Sequence, residues 1–219
     1  MSMCSGTSGI GMTTKTHHFN MNYFSSDWHL GHTNVIKYDS RPFSNTEEMD
    51  KEIISRATDL LKEGDSLYYL GDFALTRSKN AMEGYIKAIA WTGADLFFVR
   101  GNHDKKDTIR LYERYGTYLG EQKKIKLEDE GEIQEIVLNH YSMRVWDKSH
   151  HGAWHLYGHS HDGLDKHPNQ PWGKSMDVSV VSAARILGAY TLFSYPDIKA
   201  IMKKRQVKVI DHHGKSGRE

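Results

Sequence analysis

The chain has 219 residues, enough for one domain with a sizeable core and too few for two full domains. Twenty-nine lysines and arginines stand against 28 aspartates and glutamates, a formal net charge of +1, which excludes a strong global pull toward nucleic acid or an anionic membrane. The single cysteine, Cys4, excludes a disulfide framework and a multi-cysteine zinc site, and it fits an intracellular, cytoplasmic setting.

The first 18 residues, rich in Ser, Thr and Gly, read as a flexible leader, with Met12 and Met21 as alternative starts. They lack the basic and apolar regions of a signal peptide. The domain is expected over 19–210, with a solvated tail over 211–219. No apolar run approaches the roughly 20 residues that span a bilayer.

"NMNYFSSDWH" opens the domain as a strand-like stretch running into Asp27 and His29, with Trp28 between them turned toward the core by pleat alternation. "SNTEEMDKEIISRATDLLKEG" then reads as an amphipathic helix. Ser44 is its expected N-cap with Glu47 three residues on, and Gly64 its stop. A second apolar run, "LYYLGDFAL", ends at Asp72. The helix "SKNAMEGYIKAIAWTG" follows, with Met82, Ile86 and Ile89 on one face. A third run, "DLFFVRGNHD", delivers Asn102, His103 and Asp104. Asp104 is an expected N-cap for the next helix, which ends at Gly116.

After about Lys123 the pattern changes to strand upon strand: "KKIKLE", "QEIVLN", "AWHLYG", "SMDVSVV", "AYTLFSY" and "RQVKVI". Two of these runs close on imidazoles, the second at His140 and the third at His159 and His161. Helical crossovers first and short connections later predict an α/β domain, with two mixed β-sheets packed as a sandwich and helices outside. In such sheets ligands sit beyond the carboxyl ends of the strands, where all five polar clusters fall.

Asp27, His29, Asp72, Asn102, His140, His159 and His161 form an oxygen and nitrogen set without thiolate, suited to divalent ions: Mn²⁺ first, with Fe, Zn²⁺ or Ni²⁺ as alternatives. Seven ligands exceed the needs of one ion. They suit two ions about 3.5 to 4 Å apart that share a carboxylate. Two dications against two aspartates leave an excess of about two positive charges, which favours hydroxide and a phosphate ester. His32 and Arg41 are candidate phosphate contacts, Arg41 as a bidentate fork and His32 with Asn34 near the loop. Tyr141, Trp146, Trp154, Trp172, Pro168 and Pro171 either stack a nucleobase or pack their loops; packing has the better claim. His150, His151 and the lysine runs at 123–126 and 203–204 read as solvated faces.

With "DWH", "GDF", "GNHD", "NH" and "GHSH" in that order, the chain resembles the calcineurin-like metallophosphoesterases from about residue 19 to 195. "DWHLGHTN" and "SRPF" resemble the small, cap-less bacterial and phage-type members. The resemblance implies that Asp27, His29 and His161 hold one metal, that Asn102, His140 and His159 hold the other, and that Asp72 bridges. It implies that His103 contacts the phosphate and protonates the leaving alkoxide, with Asp104 orienting His103, while a bridging hydroxide attacks phosphorus. The expected substrate is a small phosphodiester or phosphomonoester, nucleotide-like. A nuclease, a dinucleotide or pyrophosphate hydrolase, and an idle metal-binding scaffold are the alternatives, and neither a membrane nor a protein partner is implied. Specificity is expected from the loops at 28–45, 141–153 and 162–174.

Overall fold

A computed structural model describes residues 20–167 and 173–211. The leader expected over 1–18, most of the tail, Pro168, Pro171 and Trp172 lie outside the described residues.

Strand β1 (Asn22–Ser25) leads through α1 (Thr33–Tyr38) and α2 (Thr46–Leu60) to β2 (Ser66–Tyr69). Next come α3 (Lys79–Ala90), β3 (Asp95–Phe98), α4 (Lys106–Tyr115) and β4 (Thr117–Tyr118). The second half runs through β5 (Gln122–Asp129), β6 (Glu132–Asn139), β7 (Trp154–Tyr157) and β8 (Ser175–Asp177). It closes with α5 (Val180–Leu187), β9 (Phe193–Ser194) and α6 (Tyr195–Lys203).

The strands form two mixed sheets, as the sequence predicts. One has the order β4-β3-β2-β1-β9, parallel except for β9; the other has the order β5-β6-β7-β8, parallel except for β5. Alternation along each strand divides the core. Phe24, Leu70 and Val99 of the first sheet meet Ile136, Leu138 and Leu156 of the second between the layers. Leu67, Tyr69 and Phe98 face the other way, onto Met49 and Ile53 of α2 and Ile86 and Ile89 of α3. Trp28 is fully buried among them, its indole nitrogen donating to Ser25 Oγ at 2.7 Å.

Several local expectations are corrected. Asn45, not Ser44, caps α2: its side chain accepts from Glu48 N at 2.8 Å. Gly64 lies in the turn beyond a C-cap at Leu61, with φ +89°. The stretch "SMDVSVV" is only briefly a strand, because Ser179 caps α5 by accepting from Ser182 N and so ends the extended run. "RQVKVI" forms no strand. Its alternation is strand-like, but Val207, Val209 and Ile210 are exposed and no sheet edge pairs with them. On edge strand β5 the lysines face solvent, where Lys124 pairs with Asp147.

Candidate metal centre

Five strands of the two sheets, β1, β2, β3, β6 and β7, deliver polar residues at their carboxyl ends. Pairing continues past the strands: Asp27 N donates to Gly71 O at 3.0 Å, His29 N to Asp72 O at 3.1 Å, and Gly158 N to His140 O at 2.9 Å. An isolated bridge between Ser26 and Ser179 ties the loop after β1 to the loop after β8. Main-chain bonds therefore hold the loops side by side before any side-chain contact is counted.

The backbone there is unusual. Asp27, His29, Asp72, His159 and His161 all have positive φ, between 44° and 63°. For residues bearing a Cβ this conformation costs about 1–3 kcal/mol each, and it clusters at functional sites. Two glycines make room for the carboxylates. A Cβ at Gly101 would collide with Asp72 Oδ1, and one at Gly158 with Asp27 Oδ2.

All seven predicted ligands come together. Asp27 Oδ2 accepts from His159 N at 2.9 Å. Asp27 Oδ1 is buried without a hydrogen-bond partner, 3.4 Å from His161 Nε2 and 3.8 Å from His29 Nε2. The two imidazole nitrogens face each other at 3.1 Å. On the other side, Asn102 Oδ1 lies 2.9 Å from both His140 Nε2 and His159 Nδ1. Asp72 stands between the halves: its Oδ1 accepts from His103 N at 2.8 Å, while its Oδ2 is 3.7 Å from His29 Nε2 and 3.4 Å from His140 Nε2. Two largely buried Asp/His groups, Asp27 with His29 and His161, and Asp27 with Asp72 and His140, could hold a metal ion. An orphaned carboxylate oxygen beside converging imidazole nitrogens is the environment a cation satisfies, so the residues fit such an ion.

Outer contacts fix the imidazoles. His140 Nδ1 donates to Leu70 O at 2.8 Å, which leaves Nε2 turned inward. His161 Nδ1 donates to Asp39 at 2.7 Å. Asp39 in turn accepts from Arg41 Nη2 at 2.8 Å; the same nitrogen donates to Asp27 O, and Nη1 donates to Trp28 O. Such carboxylate–imidazole pairs set the tautomer of a ligand. Asp39 carries no sequence motif of its own. Its only local signal is its place two residues before Arg41, and its partner His161 lies 122 positions away.

Two assignments change. Arg41 is only 3% exposed and committed to Asp39 and the loop carbonyls, so it braces the site instead of gripping phosphate. Asp104 neither caps α4, whose N-cap is Lys105, nor bonds the His103 ring. It is buried, and its Oδ2 accepts from Asp72 N and Gly101 N, tying the second polar loop to the third. His103 is exposed, its ring centroid 5.4 Å from that of His29. His32 is half-buried, 5.7 Å from the same ring. Asn102 and His159 are also exposed, which opens one side of the centre. Tyr141 stands exposed beside His159 at 4.5 Å, whereas Trp146 and Trp154 pack inside.

Burial alone would lower both His140 and His161. Hydrogen bonding from Asp72 and the charges of Asp27 and Asp72 nevertheless push His140 up to about 9, and the hydrogen bond to Asp39 with the charges of Asp27 and Asp39 pushes His161 up to about 10. Burial pulls His29 down to about 4. Burial would raise Asp27, but the charges of the neighbouring His140, His161 and His29 imidazoles hold it well below the usual carboxylate range.

Without an ion, then, His140 and His161 carry protons at pH 7 that any cation must displace. Cation binding should release about two protons at neutral pH and tighten as pH rises toward the two raised values. The sign for the ion-free protein is opposite. Stability from these two groups is complete below the ordinary histidine value and is lost as pH climbs through about 9 and then 10. Calorimetry of ion binding in buffers of differing ionisation enthalpy checks the first statement; heats independent of buffer would refute it.

No family model matches the chain. The uncharacterized protein MJ1445 of Methanocaldococcus jannaschii is 34% identical over 161 residues, which span 72% of this chain and 80% of that one. The crystal structure of AQ665, a protein of unknown function from Aquifex aeolicus, matches with a TM-score of 0.61 at 20% identity, over 84% of this chain and 100% of that one. That likeness shows a shared fold. No helix among the described residues is long and apolar enough to cross a membrane.

Proposed function

We propose that this chain, which belongs to the family of the uncharacterized protein MJ1445, is a metal-dependent phosphoesterase with a calcineurin-like sandwich and two divalent ions, Mn²⁺ first among them. The substrate in this reading is a small phosphodiester or phosphomonoester. The observation that carries it is the position of Asp72 Oδ2, within 3.7 Å of His29 Nε2 on one side and 3.4 Å of His140 Nε2 on the other. Asp27, His29 and His161 would hold one ion, Asn102, His140 and His159 the second, with Asp72 shared.

Two such ions supply Lewis-acid polarisation of phosphate oxygens and a water acidified toward neutrality. The chain's own residues do the rest. Asp39 and the Leu70 carbonyl keep the inner nitrogens of His161 and His140 directed at the centre. Asp104 fixes the distance between the loops that carry Asp72 and Asn102. His103, exposed beside His29 and anchored by its own N–H on Asp72 Oδ1, contacts the phosphate. It delivers a proton to the departing oxygen as water adds to phosphorus and the ester P–O bond breaks.

The test is hydrolysis of bis-p-nitrophenyl phosphate and of p-nitrophenyl phosphate by metal-stripped protein with Mn²⁺, Ni²⁺, Fe²⁺ or Zn²⁺ restored. Turnover that requires the metal is expected, and the preferred ester separates diesterase from monoesterase. Two ions bound by calorimetry with no turnover on either ester would overturn the reading in favour of an idle scaffold.

A further inference from the structure

A cleft of about 310 Å³ opens between α3 and α4. It adjoins the candidate centre through one residue, His103, and none of the seven candidate ligands lines it. Its floor is apolar, built from Ala74, Leu75, Met82 and Leu111. Its rim carries five cations against two carboxylates. Three cations are already engaged: Lys79 and Arg110 with Asp107 at 2.7 and 3.3 Å, and Arg114 with Glu83 at 2.9 Å. The other two, Arg77 and Lys105, are exposed and have no ion-pair partner among the described residues.

The geometry points to a leaving-group pocket, an inference that rests on the phosphoesterase reading above: the cleft takes the departing half of the substrate, and that half bears a second phosphate on an apolar body. A residue that protonates the departing oxygen must face the departing group, and His103 is the wall that centre and cleft share. Aliphatic side chains on the floor accept an apolar body, while two uncommitted cations at the rim match an additional anion. The volume sits at the low end of the ~300–1,000 Å³ typical of small-ligand sites, which suits half of a substrate. Neither cation is needed for folding, since both side chains are exposed and without an ion pair among the described residues.

The experiment titrates AMP and adenosine into the metal-stripped full chain by calorimetry, with and without the R77A/K105A double substitution. Stripping the metal removes the strongest competing draw on the phosphate. AMP is expected to bind about tenfold tighter than adenosine, an advantage lost in the double variant and reduced at high salt. AMP binding no tighter than adenosine, or an advantage that survives both substitutions, overturns the proposal. Turnover of bis-p-nitrophenyl phosphate by the metal-restored protein is read separately. Its absence counts against the phosphoesterase reading, whereas loss of the AMP advantage in the wild-type chain with turnover intact counts against the cleft alone.

Discussion

His103→Ala should lower kcat by about 10²- to 10⁴-fold, the usual contribution of a placed proton donor, while the protein still binds its metal. The side chain is exposed, and its fixed contact with the centre is a main-chain one, His103 N on Asp72 Oδ1, which alanine keeps. Stability should therefore move by no more than about 0.5 kcal/mol. The loss should be larger for an ester with a poor alkoxide leaving group than for p-nitrophenolate, which departs without a proton. Turnover by the two substrates and metal content by elemental analysis together check this. A variant that loses its metal would make His103 a ligand, and one that turns over both esters normally would remove it from the chemistry.

The second large effect is on folding. Arg41→Ala should destabilise the protein by about 3–5 kcal/mol, as expected when one partner of a buried ion pair is removed. The substitution leaves Asp39, whose side chain is 8% exposed, with His161 as its remaining partner and leaves the carbonyls of Asp27 and Trp28 without their Arg41 donor. Lysine should rescue poorly, because a single ammonium cannot replace a fork that reaches three acceptors. Denaturant unfolding of both variants measures this. Unchanged stability with a raised KM would return Arg41 to the role of phosphate contact.

The two differ in how far sequence could reach. Each predicted ligand follows a run of Val, Ile, Leu, Phe or Tyr, so the contrast between a buried strand and its polar terminus marks the position without knowledge of neighbours. Helices α2, α3 and α4 were equally legible, because their apolar spacing is local. Arg41 was misread because an arginine in a polar loop is ordinarily solvated, and nothing nearby indicates the carbonyls that enclose it. Asp104 illustrates the opposite trap. Its position before a helix is a sound local reason for a cap, but two N–H groups from converging strands claimed its carboxylate first. Asp39 depended wholly on a contact across 122 residues, which no periodicity encodes. "RQVKVI" had the strand pattern without a partner strand, and pairing decides.

The left-handed backbone of the candidate ligand residues also bears on how this protein would age in evolution. A position such as His159, exposed at φ 63°, holds a shape that glycine adopts without penalty. Replacing it by glycine would discard a candidate ligand and at the same time relax the chain. Loss of the candidate centre would thus leave a sturdier fold, so this strained backbone is expected to persist only where the centre itself is needed.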